Sequence, residues 1–317
     1  MMLGRMAVNS AAEAQAMVDK VIAYEEDDDP PEPWRQQVLA IADSRDSGGL
    51  FDLLSDSLLA GHLAAPYTAE KVYLNVTHMT ITDAKDAITA GINSGKLLVN
   101  YIGHASYKFW GKAKPYLFKA DDVQNLANGG KLPIILAMTC YDGSYHFPYA
   151  EENNAVTAEV VTRAQGKGAV ASWSSSGVGL ASAHDFLDKG FFNAFFRSTT
   201  TTVGQATLAG KLNLWSTGVN SDDIETFLLF GDPALRVKRV PALKVSGSIT
   251  APSGGPLPGV QVSTTLANGL ERTETSDADG NFHFIGLPRG EHVFTPFKKG
   301  YNFNPAASAP QVLDDSD

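Results

Sequence analysis

Cysteine, positive charge and long apolar runs are all scarce in this 317-residue sequence. The single cysteine, Cys140, excludes an intrachain disulfide and leaves the redox compartment undecided. Asp and Glu number 35 against 25 Lys and Arg, and no basic stripe stands out, so nucleic acid is not expected as a partner. Apolar runs such as 134–138 are far shorter than the about 20 residues that a membrane span needs.

Several recognisable motifs are also absent. The sequence has no G-x-S-x-G segment, which argues against a serine hydrolase, and it has no phosphate-binding loop. Six histidines show no metal-ligand spacing with cysteine or carboxylates: His62, His78, His146, His184, His283 and His292. Asp277 and Asp279 could ligate calcium, but their loop lacks the repeating ligand pattern and is better interpreted as a turn. We therefore expect no required cofactor and no metal site, while structural calcium stays open.

The N-terminal segment, MMLGRMAVNSAAEAQ, lacks the basic-then-apolar layout of a signal peptide. It resembles the interior of a domain, and we expect the natural protein to begin upstream of Met1, so that the first domain is N-terminally incomplete.

Strand-like and helix-like segments alternate over residues 10–240. Strands are expected at 38–42, 72–76, 97–102, 132–139 and 168–173. Helices are expected at 10–24, 50–60, 82–95 with Thr82 as cap, 121–126, 155–164, 183–196 and 203–214. The acidic, Pro-rich segment EEDDDPPEP is expected to be a loop. Strands without polar alternation, separated by helices, predict an α/β domain with a parallel sheet covered on both faces.

The pattern changes near Pro241. From residue 244 to 303, short runs alternate with period two and are punctuated by Gly and Pro, with Asp279-Gly280 as a hairpin signal. This predicts a small antiparallel β-sandwich of immunoglobulin or prealbumin type. The expected domains are therefore 1–240 and 241–305, followed by a tail over 306–317.

A histidine and the cysteine occupy equivalent places in the first domain. His104 follows the strand LLVNYIG and Cys140 follows the strand LPIILAMT. If these strands are parallel neighbours, both side chains meet at the edge where open α/β sheets bind ligands. An imidazolium stabilises a thiolate, and the same imidazole can protonate a leaving amine. The small residues Gly103 and Ala105 would let a peptide approach backbone amides that stabilise an oxyanion.

The segments YIGHAS and LPIILAMTCYDGSY resemble those around the catalytic residues of the gingipain family of bacterial cysteine peptidases. Further segments occur in the same order as in the family: GRMAV, YEE, Trp34, AEVV, GAVAS and FGDPALRV. The resemblance therefore covers about residues 4–238. It implies a caspase-like fold, with Cys140 as nucleophile and His104 as its partner. Residues 244–303, with PLPGV and TSDADGNFHFIGLP, resemble instead a carboxypeptidase-regulatory-like sandwich.

The resemblance also implies roles for other acidic residues. Asp56 falls where family members that prefer basic side chains have a pocket aspartate, and a His-orienting acid falls near Asp43 and Asp46. Two departures are Ala105, where the family usually has Gly, and Asp142, where it usually has Asn. No counterpart of the pocket tryptophan of arginine-specific members occurs near Ala181.

Three interpretations stay open on the sequence alone. The chain is an active cysteine endopeptidase, an inactive peptidase-like scaffold of a secreted surface protein, or an unrelated α/β protein whose His104 and Cys140 are structural. The family resemblance favours the first, with protein or peptide substrates, an extracellular or cell-surface location and a possible preference for Arg or Lys before the cut. It leaves the oligomeric state undetermined.

Overall fold

The computed structural model describes residues 2–26, 32–64, 66–146, 155–198, 202–219, 222–237, 239, 244–266, 269, 271–287 and 290–313. The centre of the expected loop EEDDDPPEP lies outside them. The chain divides into two compact units. The first comprises Met1–Leu59, Tyr67–Phe195 and Thr199–Val240, and the second comprises Ala60–Pro66, Phe196–Ser198 and Pro241–Asp317.

A six-stranded sheet lies at the centre of the described part of the first unit, in the order β2-β1-β3-β7-β8-β9. Its strands are β1 (Gln37–Ala42), β2 (Thr68–Tyr73), β3 (Leu98–Ile102), β7 (Ile134–Met138), β8 (Ala171–Ser175) and β9 (Phe227–Phe230). All neighbours are parallel except β8 and β9, which are antiparallel. The predicted parallel sheet is thus confirmed, and the edge strand β9 makes it mixed.

Helices cover both faces of this sheet, as expected. They are α1 (Ala11–Glu26), α2 (Phe51–His62), α3 (Ile81–Ser94), α4 (Thr157–Arg163), α5 (Ala181–Arg197), α6 (Val203–Ser216) and α7 (Asp222–Thr226), with 3-10 turns at Pro33–Gln36 and Ala120–Asn125. One face packs α3 and α4 against side chains such as Leu39 and Tyr101. On the other face Asn100 contacts α5. Every residue of β3 and β7 is buried, which explains their largely apolar sequence; the polar exception, Asn100, donates to Asp188.

Two sequence expectations for this unit need correction. The cap of α3 is Thr80, whose hydroxyl accepts the N–H of Asp83, and not Thr82. The second strand was expected at 72–76 but runs from Thr68 to Tyr73, because exposed polar residues occupy its first half at the edge of the sheet.

A small antiparallel sheet directly follows His104. Its strands are β4 (Ala105–Ser106), β5 (Phe109–Trp110) and β6 (Phe118–Lys119). Strands this short carry no periodicity, so the sequence did not predict them. The hairpin fixes the chain beyond His104 and places Trp110 in the core.

The second unit is a β-sandwich with its own apolar core, centred on Val260, Val262, Phe284 and Leu287. Its strands are β10 (Lys244–Ser248), β11 (Gln261–Thr265), β12 (Glu271–Thr275), β13 (Asn281–Ile285), β14 (Gly290–His292), β15 (Thr295–Phe297) and β16 (Gln311–Leu313). All pairings among them are antiparallel, as predicted.

The tail expected from residue 306 is partly wrong, because β16 pairs with β14 and thereby belongs to the sandwich. Residues 314–317 lie outside the described part of the chain. Across the ranges that the structure describes, no helix has the length and apolarity to cross a lipid bilayer.

Candidate active site

His104 and Cys140 follow two adjacent parallel strands at matching positions. Strand β3 pairs with β7 so that Ile102 lies opposite Met138. His104 and Cys140 each come two residues later, at the same edge of the sheet. The predicted neighbourhood of these strands is therefore confirmed, and it brings the imidazole and thiol loops to one end of the sheet.

Asp46 contacts the imidazole of His104. The Nε2 atom lies 3.0 Å and 3.2 Å from the two carboxylate oxygens. The Lys112 ammonium, the N–H of Gly48 and the His104 ring hold the pKa of Asp46 well below its usual range. A carboxylate that is ionised can only accept hydrogen bonds, so Nε2 of His104 carries a proton and donates it to Asp46.

The loop that carries Asp46 leaves no room for a side chain beside the ring. A Cβ on Gly48 would lie 2.7 Å from Cε1 of His104 and 3.0 Å from Nε2. Phe51, at the start of α2, meets the same ring edge to face, with centroids 5.3 Å apart. Close packing on these sides restricts the orientation of the imidazole.

Asp43 holds the main chain of the histidine loop, whereas the hydrogen bonds of the His104 ring in the described part of the chain go to Asp46. It is buried, and one carboxylate oxygen accepts the N–H of Ser44 at 2.8 Å. Burial raises the pKa of Asp43, and the N–H groups of Ser44 and His104 oppose this rise. Of the two acids expected to orient His104, the structure therefore brings only Asp46 to the imidazole.

Cys140 is partly buried, and its thiol donates to the carbonyl of Gly179 at 3.6 Å. Burial raises the pKa of this thiol, and the charge of Asp223 raises it further. Both effects disfavour the thiolate form of Cys140. The expectation of a thiolate stabilised by an imidazolium stays a prediction.

The segment after β8 holds the cysteine loop through its backbone. Tyr141 donates its N–H to Gly177 at 2.9 Å, and Gly143 donates to Ser175 at 2.8 Å. Tyr141 has a φ of 60°, a left-handed conformation that is uncommon outside glycine. Such strain beside a reactive residue is typical of functional sites.

The backbone amides of Ala105 and Cys140 belong to the two loops that carry the candidate catalytic residues. The N–H of Gly111 donates to the carbonyl of His104 at 2.7 Å. Because hydrogen-bonded pairs alternate in an antiparallel ladder, the N–H of Ala105 faces away from β5. The N–H of Cys140 donates to no backbone carbonyl in the ranges described.

Gly103 has a different environment from the one expected. Its N–H donates to the carbonyl of Met138 at 3.5 Å and so extends the β3–β7 ladder. A Cβ there would lie 2.5 Å from Cβ of Asp43 and 2.6 Å from the Tyr101 hydroxyl. Gly103 therefore serves close packing, and its N–H is already used in the β3–β7 ladder.

Asp56 lies on α2 and is already paired within the fold. Its carboxylate meets the Lys71 ammonium at 2.7 Å and accepts the Tyr73 hydroxyl at 3.0 Å. A carboxylate with its own cation is not an open receptor for a substrate cation, so this placement gives the pocket role of Asp56 no support.

A second His–Asp pair, which is buried and which the sequence did not reveal, lies beside Gly179. The Nε2 of His184 is 3.3 Å from Oδ1 of Asp223, and both side chains are almost fully buried. A Cβ on Gly179 would collide with both residues. Since Gly179 also accepts the Cys140 thiol, this pair adjoins the hydrogen-bond partner of Cys140. Residues 184 and 223 are 39 positions apart, and nothing in their local sequence relates them.

The described residues contain no cluster of three or more His, Cys, Asp or Glu side chains that could hold a metal ion. Asp277, one of the two acids considered for calcium, instead accepts the N–H groups of Asp279 and Asn281 at 3.0 Å and 2.8 Å. These are the contacts of a hairpin turn, in agreement with the turn interpretation.

Comparison with known proteins identifies the first unit. The sequence pattern of Peptidase family C25 matches residues 1–238. The chain belongs to this family. The pattern of the carboxypeptidase regulatory-like domain matches residues 244–307. Both resemblances drawn from the sequence are thereby confirmed.

The similar proteins include gingipains of Porphyromonas gingivalis. Gingipain R1 and gingipain R2 are each 28% identical over 273 residues, or 79% of this chain. The chain spans 25% of that gingipain R1 and 34% of that gingipain R2.

Solved structures agree on the fold. A crystal structure of the Arg-specific cysteine proteinase gingipain R (RGPB) has a TM-score of 0.63 and 22% identity, covering 94% of this chain and 72% of that one. A complex of the RgpB pro- and mature domains from the same organism has a TM-score of 0.64 and 22% identity, covering 98% and 76%. The first unit of this chain therefore has the caspase-like fold of the gingipains.

Proposed function

We propose that this chain is a cysteine endopeptidase, in which Cys140 is the nucleophile and His104 the general base and acid. The observation that carries the proposal is the equivalent placement of the two residues beyond paired strands. Membership of Peptidase family C25 supports the reaction class. The peptidase would act on proteins or peptides.

The contact with Asp46 supports the role of His104. Because Nε2 donates to the carboxylate, Nδ1 is the nitrogen that can take a proton. Nδ1 makes no hydrogen bond to any residue within the described ranges, so it is available to the thiol. Asp46 also stabilises the imidazolium that forms when the proton arrives.

The reaction then has two steps. Nδ1 of His104 takes the proton of the Cys140 thiol as sulfur bonds to the peptide carbonyl carbon, and the carbonyl electrons move to oxygen. The tetrahedral intermediate collapses, the C–N bond breaks, and the imidazolium gives its proton to the amine, leaving a thioester. Water, deprotonated by Nδ1, attacks the thioester, and the sulfur leaves and recovers the proton.

The developing oxyanion needs donors that are already in place. We propose the N–H groups of Ala105 and Cys140 for this role. Ala105 suits it even though it is not glycine, because only its N–H is used and its φ lies outside the left-handed region.

One observation favours the alternative of a catalytically inactive scaffold. Burial and the charge of Asp223 raise the pKa of the Cys140 thiol, with the Gly179 backbone acting in the opposite direction, and a raised pKa lowers the thiolate fraction at neutral pH. The scaffold would be a binding domain of a secreted surface protein, consistent with the carboxypeptidase regulatory-like domain beside it. An extracellular or cell-surface location is proposed in either case.

Cleavage of a peptide library by the full chain tests the proposal. Cys140→Ala and His104→Ala should each lose at least about 10²-fold in kcat/KM, and their losses should not add, because the two groups act as one unit. A wild-type protein that is folded but cleaves nothing would favour the scaffold.

We further propose a preference for Arg or Lys before the scissile bond. The support is the similarity to a proteinase described as Arg-specific. Two carboxylates are candidates for the receptor. Asp56 follows from the family resemblance but is paired with Lys71. Asp223 raises the pKa of the Cys140 thiol through its charge, but it is fully buried beside His184, so a substrate would have to displace that contact.

The ratio of kcat/KM for Arg and Leu substrates separates the two carboxylates. If the carboxylate that binds the substrate cation is replaced by Asn, this ratio should fall about 10-fold or more, since a charged hydrogen bond to the guanidinium is lost. The Asn variant of the other residue should leave the ratio unchanged. A wild-type ratio near unity would contradict the proposed preference for Arg or Lys.

A further inference from the structure

Asp142 is a buried acid two residues beyond Cys140, and both of its carboxylate oxygens accept hydrogen bonds within the fold. One oxygen accepts the indole N–H of Trp110 at 2.7 Å, and the other accepts the Ser174 hydroxyl at 2.7 Å. Only 1% of Asp142 is exposed to solvent. Burial raises its pKa to about 6, with the hydrogen bonds from Ser174 and Trp110 acting in the opposite direction.

Trp110 belongs to the hairpin that starts at His104. It lies opposite Ala105, the residue after the histidine, in the β4–β5 ladder. Its indole stacks on Tyr101 with centroids 4.7 Å apart and an interplanar angle of 6°. Trp110 is therefore fixed both by the hairpin and by the core of β3.

Tyr101 links Trp110 to the main chain of His104. Its hydroxyl donates to the carbonyl of His104 at 2.5 Å and accepts the N–H of Gly111 at 3.0 Å. Tyr101 is completely buried. A continuous buried path thus runs from the cysteine loop through Asp142, Trp110 and Tyr101 to the main chain of His104.

We propose that Asp142 is a positioning residue, which holds Trp110 and thereby fixes the His104 hairpin against the Cys140 loop. The inference rests on the proposed peptidase function. A carboxylate suits the task because its two oxygens satisfy two buried donors that come from different elements, β5 and β8. A shift of about 1 Å between reacting groups costs about 10²-fold in rate, so the contact has a kinetic consequence.

Three variants of the full chain test the proposal on the best substrate of the wild type. Asp142→Ala and Trp110→Phe should each lower kcat about 10- to 100-fold while KM stays within about twofold. Asp142→Asn should recover most of kcat, because its amide oxygen still accepts the indole N–H and the Ser174 hydroxyl can turn to accept from its NH₂. The double variant Asp142→Ala/Trp110→Phe should lose no more than the worse single variant.

Asp188→Asn is the matched control. Asp188 is also a buried acid with a raised pKa, but its partner is Asn100 on the opposite face of the sheet, away from both loops. It should change stability and leave kcat unaltered. Equal kcat losses in Asp188→Asn and Asp142→Ala would mean a general loss of packing and would overturn the proposal.

Trp110→Phe keeps the ring stack, and it decides the question if Asp142→Ala does not fold. A folded Trp110→Phe protein with wild-type kcat would overturn the proposal.

A spectroscopic test needs no turnover. The chain has four tryptophans, and the Trp110 indole N–H should be the downfield resonance that disappears in Trp110→Phe and moves upfield in Asp142→Asn. An unmoved resonance would contradict the contact. Absence of cleavage by the wild type would instead refute the peptidase function and leave this result standing.

Discussion

The Nε2 atom of His104 lies 3.0 Å from a carboxylate oxygen of Asp46, a residue 58 positions earlier in the chain. This contact places a proton on Nε2, so that in the proposed mechanism Nδ1 acts as the base. It also links the loop after β1 to the loop after β3, so that the site is assembled at the ends of three adjacent strands.

Replacing Asp46 by Ala should lower kcat/KM about 10- to 100-fold, a part of the about 10²- to 10⁴-fold that a positioned base contributes. The ring would lose both its orientation and the charge that stabilises the imidazolium. Steady-state kinetics on a peptide substrate measure the loss. Asp19→Ala is the control, since Asp19 is an exposed acid on α1 with one contact to Gln15. Equal activity of both variants would remove Asp46 from the site.

Gly48→Ala should displace the imidazole of His104, because the new methyl group would lie 2.7 Å from Cε1. We expect a loss of kcat on the order of 10-fold or more with little change in thermal stability. Gly61→Ala provides the comparison, as a Cβ there meets nothing within 4 Å. If Gly48→Ala and Gly61→Ala retain the same kcat, the close packing around the ring has no catalytic importance.

The alkylation of Cys140 by iodoacetamide should show a pH midpoint above that of free cysteine, because burial and Asp223 raise the pKa of the thiol. The reaction should therefore be slow at about pH 6, where an ion-paired cysteine would react fast. Asp223→Asn should lower the midpoint by removing a nearby negative charge. A rate at about pH 6 that already equals the plateau would show a thiolate–imidazolium pair instead.

Asp188→Asn should stabilise the protein at high pH. Burial raises the pKa of Asp188 to about 8, far above its ordinary value of 3.8. The folded state therefore binds this proton more tightly than the unfolded state, and its contribution to the free energy of unfolding falls as pH rises between those two values. Urea unfolding at about pH 9 should find the variant more stable by at least about 1 kcal/mol, with a smaller difference at about pH 4. A difference that is the same at both pH values would contradict the raised pKa.

The elements that carry His104 and Cys140 could be predicted from sequence because β3 and β7 are buried on both faces. Complete burial favours runs that are largely apolar, and a chemically reactive residue at the end of such a run is easy to find. The sandwich of the second unit was equally visible, since half-exposed strands alternate with period two.

The rest of the site depends on contacts between distant loops. Trp110 and Asp142 are 32 residues apart, and neither has a local pattern that relates it to the other. Asp43 and Asp46 could not be distinguished because only the turn between β1 and α2 decides which of them reaches the ring. Asp56 was assigned by its position within the family resemblance, which does not show that the side chain pairs with Lys71.

A burst experiment with a peptidyl p-nitrophenyl ester tests the central claim most directly. The account predicts a rapid release of nitrophenolate that is stoichiometric with the protein, and an intact mass increased by the peptidyl group on Cys140. Cys140→Ala should give neither, and His104→Ala should slow the burst by about 10²-fold or more. A wild-type protein that shows no burst and gains no mass at Cys140, while remaining folded, would contradict the account.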